Sequence, residues 1–193
     1  MNSGKVLEYC KLLGTLKHLT RTGWLRCGVK DAESVASHMY RMAALALLLD
    51  NTKVDRDRCI RMCLVHDMGE AIVGDITPHC GISAADKSSQ ERQAMQRLAG
   101  LVGEKVGGEL VSLWEEYEAG LSAEAKAVKE LDKFDMIAQA AEYEAAEARP
   151  GWLQEFFDST PASRFADHSE VGQWAAALRK QRYEKTNEES QKE

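Results

Sequence analysis

Apolar residues recur along the chain at spacings of three and four, the period of an amphipathic helix, and no stretch alternates long enough to make a strand. Val6, Tyr9, Cys10, Leu13 and Leu16 mark a first helix. The segment 20–30, interrupted by Gly23 and Gly28, predicts a loop. Asp31 or Ser34 caps a second helix, with Val35, Met39, Met42, Ala46 and Leu49 along one face. Asp55 caps a third, predicted to run without a break through Cys59, Ile60, Cys63 and Leu64 to about Gly74. A loop over 75–82 follows. Ser83 and Asp86 resemble a capping box with Asp in place of Glu or Gln, opening a helix that reaches about Leu101. A short helix over 109–117 is closed by Gly120. The longest begins at Ser122, reaches about Ala148 and is stopped by Arg149-Pro150-Gly151. One or two turns over 152–157 and a final helix over 170–183 complete the pattern.

These elements predict an all-α, single-domain helical bundle over 1–193. Its core spans about 5–183, and the polar tail 184–193 is expected to fray. The 193 residues and 44% apolar content suit one soluble domain with a substantial core. A net charge of −6 weighs against a nucleic-acid polymer as partner. The longest apolar run, 42–49, is too short to cross a bilayer, so no membrane partner is expected. The start of the chain lacks the cationic and apolar regions of a secretory signal. Five cysteines with no CxxC pair fit a reducing, cytoplasmic setting, with Cys59 and Cys63 read as buried thiols of one helix.

Against this background the apolar run 64–75 contains His66 and Asp67 side by side, with Glu70 four residues after the histidine. On one continuous helix all three lean toward one side. Polar groups buried there need a partner, because hiding them unpaired costs kilocalories each. His38 lies in register with Met42, Leu45 and Leu49; a lone histidine in that position is more often a core residue bonded to a carbonyl than a ligand. Asp132 stands at the edge of the stripe of the longest helix, and Asp135, on a face with Leu131 and Glu142, is its rival. Together His38, His66, Asp67 and a distal aspartate supply two nitrogens and two carboxylates from three helices. That mixed set suits a divalent ion in a bundle, with positions left for water and substrate.

The pattern His38…His66-Asp67…Asp132 resembles the H…HD…D signature of the HD-domain metal-dependent phosphohydrolases. The segments 33–38, 66–70 with Gly74-Asp75-Ile76, and 129–132 are similar to the 5′-deoxynucleotidase branch of that family, and the resemblance covers about 7–178. It implies an HD-type helical fold and hydrolysis of deoxyribonucleoside 5′-monophosphates to deoxyribonucleoside and phosphate. It also implies that His38, His66, Asp67 and Asp132 ligate a divalent cation such as Mn, Co or Mg, the Leu131-Asp132 context deciding against Asp135. Glu70 and Asp75 match the family's acid/base residues, with Glu70 assigned to the water and Asp75 to the leaving-group side. In some members these two, with the carbonyl of Ile76, hold a second ion.

Arg21 and Trp24 match positions that bind phosphate and stack on the substrate. Two residues separate them here where bacterial relatives have them adjacent, so a structural Trp under a solvated Arg is the competing reading. A homodimer is expected from the same resemblance. Other HD-type phosphohydrolases, acting on cyclic nucleotides, nucleoside triphosphates or alarmones, remain alternatives. So does a metal-stabilised helical binding module without turnover, against which Glu70 and Asp75 argue.

Overall fold

Short polar residues placed just before the apolar runs set where the helices begin. The computed structural model describes residues 2–190, with side chains as far as 184. The α-helices are α1 (Ser3–Leu16), α2 (Thr22–Arg26), α3 (Val35–Ala46), α4 (Arg56–Val65), α5 (Glu70–Val73), α6 (Ala84–Val102), α7 (Glu104–Ala119), α8 (Ala123–Ala146), α9 (Gln154–Asp158) and α10 (Glu170–Ser190). Among the described residues there is no strand; one isolated bridge pairs Thr20 with Ser34. No described helix is long and apolar enough to cross a membrane.

Of the two candidates before α3, Ser34 is the cap, its hydroxyl accepting from the Ser37 N–H at 3.2 Å. Asp55 accepts from the Arg58 N–H at 3.0 Å at the start of α4. Ser83 accepts from the Asp86 N–H at 3.1 Å and donates to the Asp86 carboxylate at 2.7 Å. Aspartate is one methylene too short for the return bond of a capping box and takes the serine hydroxyl instead.

Three departures from expectation bear on how the helices meet. A turn of helix, α2, stands inside the segment predicted as a loop. Its first N–H, on Thr22, finds the Asp75 carboxylate at 2.6 Å, a partner 53 residues away that local pattern does not reveal. The helix expected to run to Gly74 instead stops after Val65. The N–H of His66 still reaches Met62 at 2.9 Å, but those of Met68, Glu70 and Ala71 reach back only three residues, to Val65, Asp67 and Met68. Residues 66–69 are therefore a turn, and α5 is a separate short helix closed by Gly74 at φ +80°. Finally, α7 starts at Glu104 rather than near 109, because Gly107 serves packing rather than breaking the helix. A Cβ at position 107 would lie 2.5 Å from the Ala99 carbonyl oxygen, so glycine lets α7 cross α6 at close range.

The chain divides into two compact units, Met1–Lys126 and Ala127–Glu193. In the first, α3 packs on α4, α6 on α7, and α1 on α5 and α6. Val35, Met42, Met62, Met95 and Leu98 are fully buried there, as are the thiols of Cys59 and Cys63. In the second, Leu131, Ile137, Leu153 and Phe157 are buried. Glu144 joins its parts: it accepts from the Leu153 N–H at 2.8 Å and takes a two-pronged bond from Arg182 at 2.7 and 3.0 Å. Helix α10 begins at the expected residue and continues past 183; positions 191–193 of the expected frayed tail lie outside the described residues.

Candidate metal centre

The break after α4 brings the two signature residues together. Neighbouring residues of a regular helix point about 100° apart and do not face each other. In the turn that replaces the helix here, Asp67 Oδ2 comes within 3.2 Å of His66 Nε2. On α3, inward-facing His38 places its own Nε2 3.8 Å from the same oxygen. The two imidazoles stand edge to face with centroids 5.5 Å apart, and Tyr117 packs on the His66 ring at 4.9 Å. His38, His66 and Asp67 each offer a ligand atom within 4.8 Å of the others.

The orientation of His66 follows from its other nitrogen. Nδ1 lies 2.9 Å from the Cys63 carbonyl, which can only accept, so Nδ1 carries the proton and Nε2 keeps its lone pair. That Nε2 is buried with no hydrogen-bond partner among the described residues.

Burial works to raise the Asp67 pKa, but His66 when protonated, then Arg21 and a protonated His38, outweigh it and hold the carboxyl well below the usual range; with both imidazoles neutral that part falls to Arg21. The Arg21 guanidinium is 3.3 Å away. Glu70 behaves oppositely. Burial, then the charges of Asp67 and Asp75, push its pKa far up, and Arg21 and Lys87 offset only part of this. Its Oε2 is buried without a hydrogen-bond partner among the described residues.

Asp75 follows the glycine that closes α5 and is tied to α2. Its carboxylate accepts the Thr22 N–H, and its own carbonyl accepts the Thr22 hydroxyl at 2.9 Å. This double tie fixes the Arg21 segment beside the His66-Asp67 turn. Ile76 is buried next to it. Trp24 is 1% exposed and its indole N–H donates to Glu33 at 3.1 Å. Arg21 is only partly exposed, and its guanidinium meets Asp67 of the ligand cluster.

Asp132 belongs to the second unit, where it is largely buried on α8 and pairs with Lys133 at 3.0 Å. Asp135, its rival, is fully buried on the same helix. His79 and Cys80 are exposed in a single 3-10 turn, Pro78–Cys80.

Sequence reasoning missed Lys87, Glu91, Thr22 and Glu33. For the first two a signal existed: positions 87 and 91 continue, at spacings of four and three, the stripe formed by Ala94, Met95 and Leu98. Polar residues in line with an apolar stripe face inward. For Thr22 there was none, because its bonds reach a segment 53 residues away, and Glu33 meets Trp24 across a short loop that carries no periodic pattern.

A family model described as HD domain matches residues 13–171. The 5'-deoxynucleotidase HDDC2 of Xenopus laevis is 48% identical over 182 residues, covering 94% of this chain and 90% of that protein. A conserved hypothetical protein from Pyrococcus furiosus has a similar structure, with a TM-score of 0.73 and 32% identity over 90% of this chain and 99% of that one. A structure described as a predicted metal-dependent phosphohydrolase, from Magnetospirillum magnetotacticum MS-1, gives a TM-score of 0.72 at 28% identity, covering 94% and 95%.

Proposed function

The chain belongs to the HD-domain family, and from that premise we propose that it is a metal-dependent 5′-deoxynucleotidase, converting deoxyribonucleoside 5′-monophosphates to deoxyribonucleosides and phosphate. The observation that carries this reading is the convergence of His38, His66 and Asp67 next to the buried, incompletely bonded Glu70. A buried imidazole nitrogen with its lone pair turned toward a carboxylate is a poor structural device and a good ligand. The site therefore fits a divalent cation, which His38, His66, Asp67 and, by its motif, Asp132 would hold. When bound, such an ion supplies Lewis acidity, drawing charge from a phosphoryl oxygen and making water a stronger acid. Two nitrogens and two carboxylates suit Mn or Co better than Mg, which prefers an all-oxygen shell.

The chain's own residues supply the rest. Arg21 presents a planar fork to the phosphate, held at the edge of the site by Asp67. Glu70 is assigned to the attacking water as its proton acceptor; burial and the charges of Asp67 and Asp75 raise its pKa, and a divalent cation beside it would offset those charges and bring the group back toward the range in which a base works at neutral pH. Asp75 keeps one oxygen on Thr22, and its other oxygen is the one we assign to the leaving-group side. A second ion, as held by some members of the family, would take Glu70, Asp75 and the Ile76 carbonyl as donors. Trp24 supports the loop from below.

The family match runs across the division at Lys126, which supports reading 1–193 as one domain. Five free cysteines support a cytoplasmic protein, and exposed Tyr40, Leu47 and Leu48 offer apolar surface for a homodimer.

Phosphate release from deoxyribo- and ribonucleotides, measured before and after chelation, tests the proposal. Activity should be highest on deoxyribonucleoside 5′-monophosphates, vanish on chelation and return with Mn or Co. Chelator-resistant turnover, or preference for cyclic nucleotides or triphosphates, overturns it. Metal-dependent melting with no nucleotide turned over would make the protein a binding module.

A further inference from the structure

Two ionisable residues of α6, Lys87 and Glu91, have no task in the reaction as described. They stand one helical turn apart, and the Glu91 carboxylate lies 3.5 Å from the Lys87 ammonium. Glu91 is 8% exposed, so it is no ordinary surface partner. An exposed pair at this spacing is worth little and leaves its lysine free to swing. A buried carboxylate instead fixes where the ammonium can go.

Where it can go is set by how closely α6 passes the ligand turn. A Cβ on Gly69 would come within 3.4 Å of the Glu91 carbonyl oxygen and 3.6 Å of the Ala94 side chain. The next residue after Gly69 is Glu70. Lys87, one turn back along α6, thus lies in the field of the acid cluster. Burial works to lower its pKa, but Glu91, then Glu70, Asp67 and Asp75, outweigh it and keep the ammonium charged.

A phosphate dianion approaching Asp67, Glu70 and Asp75 meets three acids. Arg21 is one cation on its path and is already engaged with Asp67. Beyond the divalent ion that the site would hold, a further side-chain cation in reach would strengthen the hold on the dianion, and Lys87 is placed to be it. Its flexible stem and compact charge suit an oxygen that moves as the phosphorus is displaced.

We propose that Lys87 contacts the substrate phosphate through a non-reacting oxygen, and that Glu91 is the positioning residue that aims it. This assignment rests on the phosphomonoesterase reading, and its test separates the two. Titration calorimetry with inorganic phosphate, the product, is run on metal-loaded wild type, Lys87→Gln, Lys87→Arg and Glu91→Gln, with steady-state kinetics on a deoxyribonucleoside monophosphate alongside. Lys87→Gln should weaken phosphate binding and raise KM by about tenfold, the factor expected for one charge-assisted hydrogen bond. Its kcat should fall by less than about threefold, the split expected of uniform binding. Lys87→Arg should recover most of the loss, Glu91→Gln should fall between, and bound metal per chain should stay constant. Unchanged phosphate affinity in Lys87→Gln, with only a lower melting temperature, overturns the proposal and leaves a structural ion pair; loss of metal in that variant overturns it as well. Wild type that turns over no nucleotide would sink the nucleotidase reading, while the phosphate affinities of the variants would still decide the role of Lys87.

Discussion

Glu70 and Glu144 are hidden to nearly the same degree, at 4% and 5% exposure, and they differ in what meets them. Glu144 has both oxygens filled, by the fork of Arg182 and the Leu153 N–H, with the guanidinium lying over the Phe157 ring at 3.9 Å. Glu70 has two like charges for neighbours and an oxygen with no bond among the described residues. A saturated buried acid holds segments of the second unit together and has no capacity left for chemistry. An unsaturated one costs stability where it stands, and such a group persists where a reaction needs it. Burial alone therefore says little about a carboxylate. The occupancy of its lone pairs says which kind it is.

Three substitutions put pressure on this contrast. The largest effect is expected at Glu70→Gln, which keeps the shape and removes the proton acceptor. Turnover should drop by about 10²–10⁴-fold, the range for losing a general base, with no fall in melting temperature. A variant that retains wild-type kcat would remove Glu70 from the mechanism and erase the distinction. Next comes Glu144→Ala, which removes the carboxylate that Arg182 meets in a largely buried position. Urea unfolding should show a loss of about 3–5 kcal/mol, as when one partner of a buried pair is deleted, while activity per folded molecule stays unchanged. Equal damage to kcat and stability would mean that Glu144 is more than a tie. The smallest is Trp24→Phe, which deletes the indole donor to Glu33 and should cost about 1 kcal/mol. Its KM should hardly move; a KM raised about tenfold would restore the stacking role that the burial of Trp24 argues against.

Much of the architecture was legible because it is local. Ser34, Asp55 and Ser83 announce their helices, and the stripes of α3, α4 and α6 follow from residues three and four apart. What escaped is what depends on another segment. The cap on α2 comes from Asp75, and the early start of α7 depends on Gly107 touching Ala99. The break at 66–69 escaped for a related reason. His66, Asp67 and Glu70 do share a helical face by spacing, but the real chain ends α4 first and brings His66 and Asp67 together by a turn. The motif thus named His38, His66 and Asp67 correctly as neighbours from a wrong local geometry. The choice of Asp132 over Asp135 was never geometric, since both are buried on α8, and it still rests on the match of Leu131-Asp132 to the signature.

The bond from His66 to the carbonyl of residue 63 has a consequence for how such a site is inherited. An imidazole oriented by a neighbouring side chain can lose its orientation through one codon change at that neighbour. Here the acceptor is a main-chain oxygen, which every amino acid carries. Cys63 can drift to any residue its buried space tolerates without altering which ring nitrogen of His66 bears the proton. The tautomer is therefore stored in the path of the backbone, and lineages can diverge at position 63 while the same nitrogen continues to face Asp67.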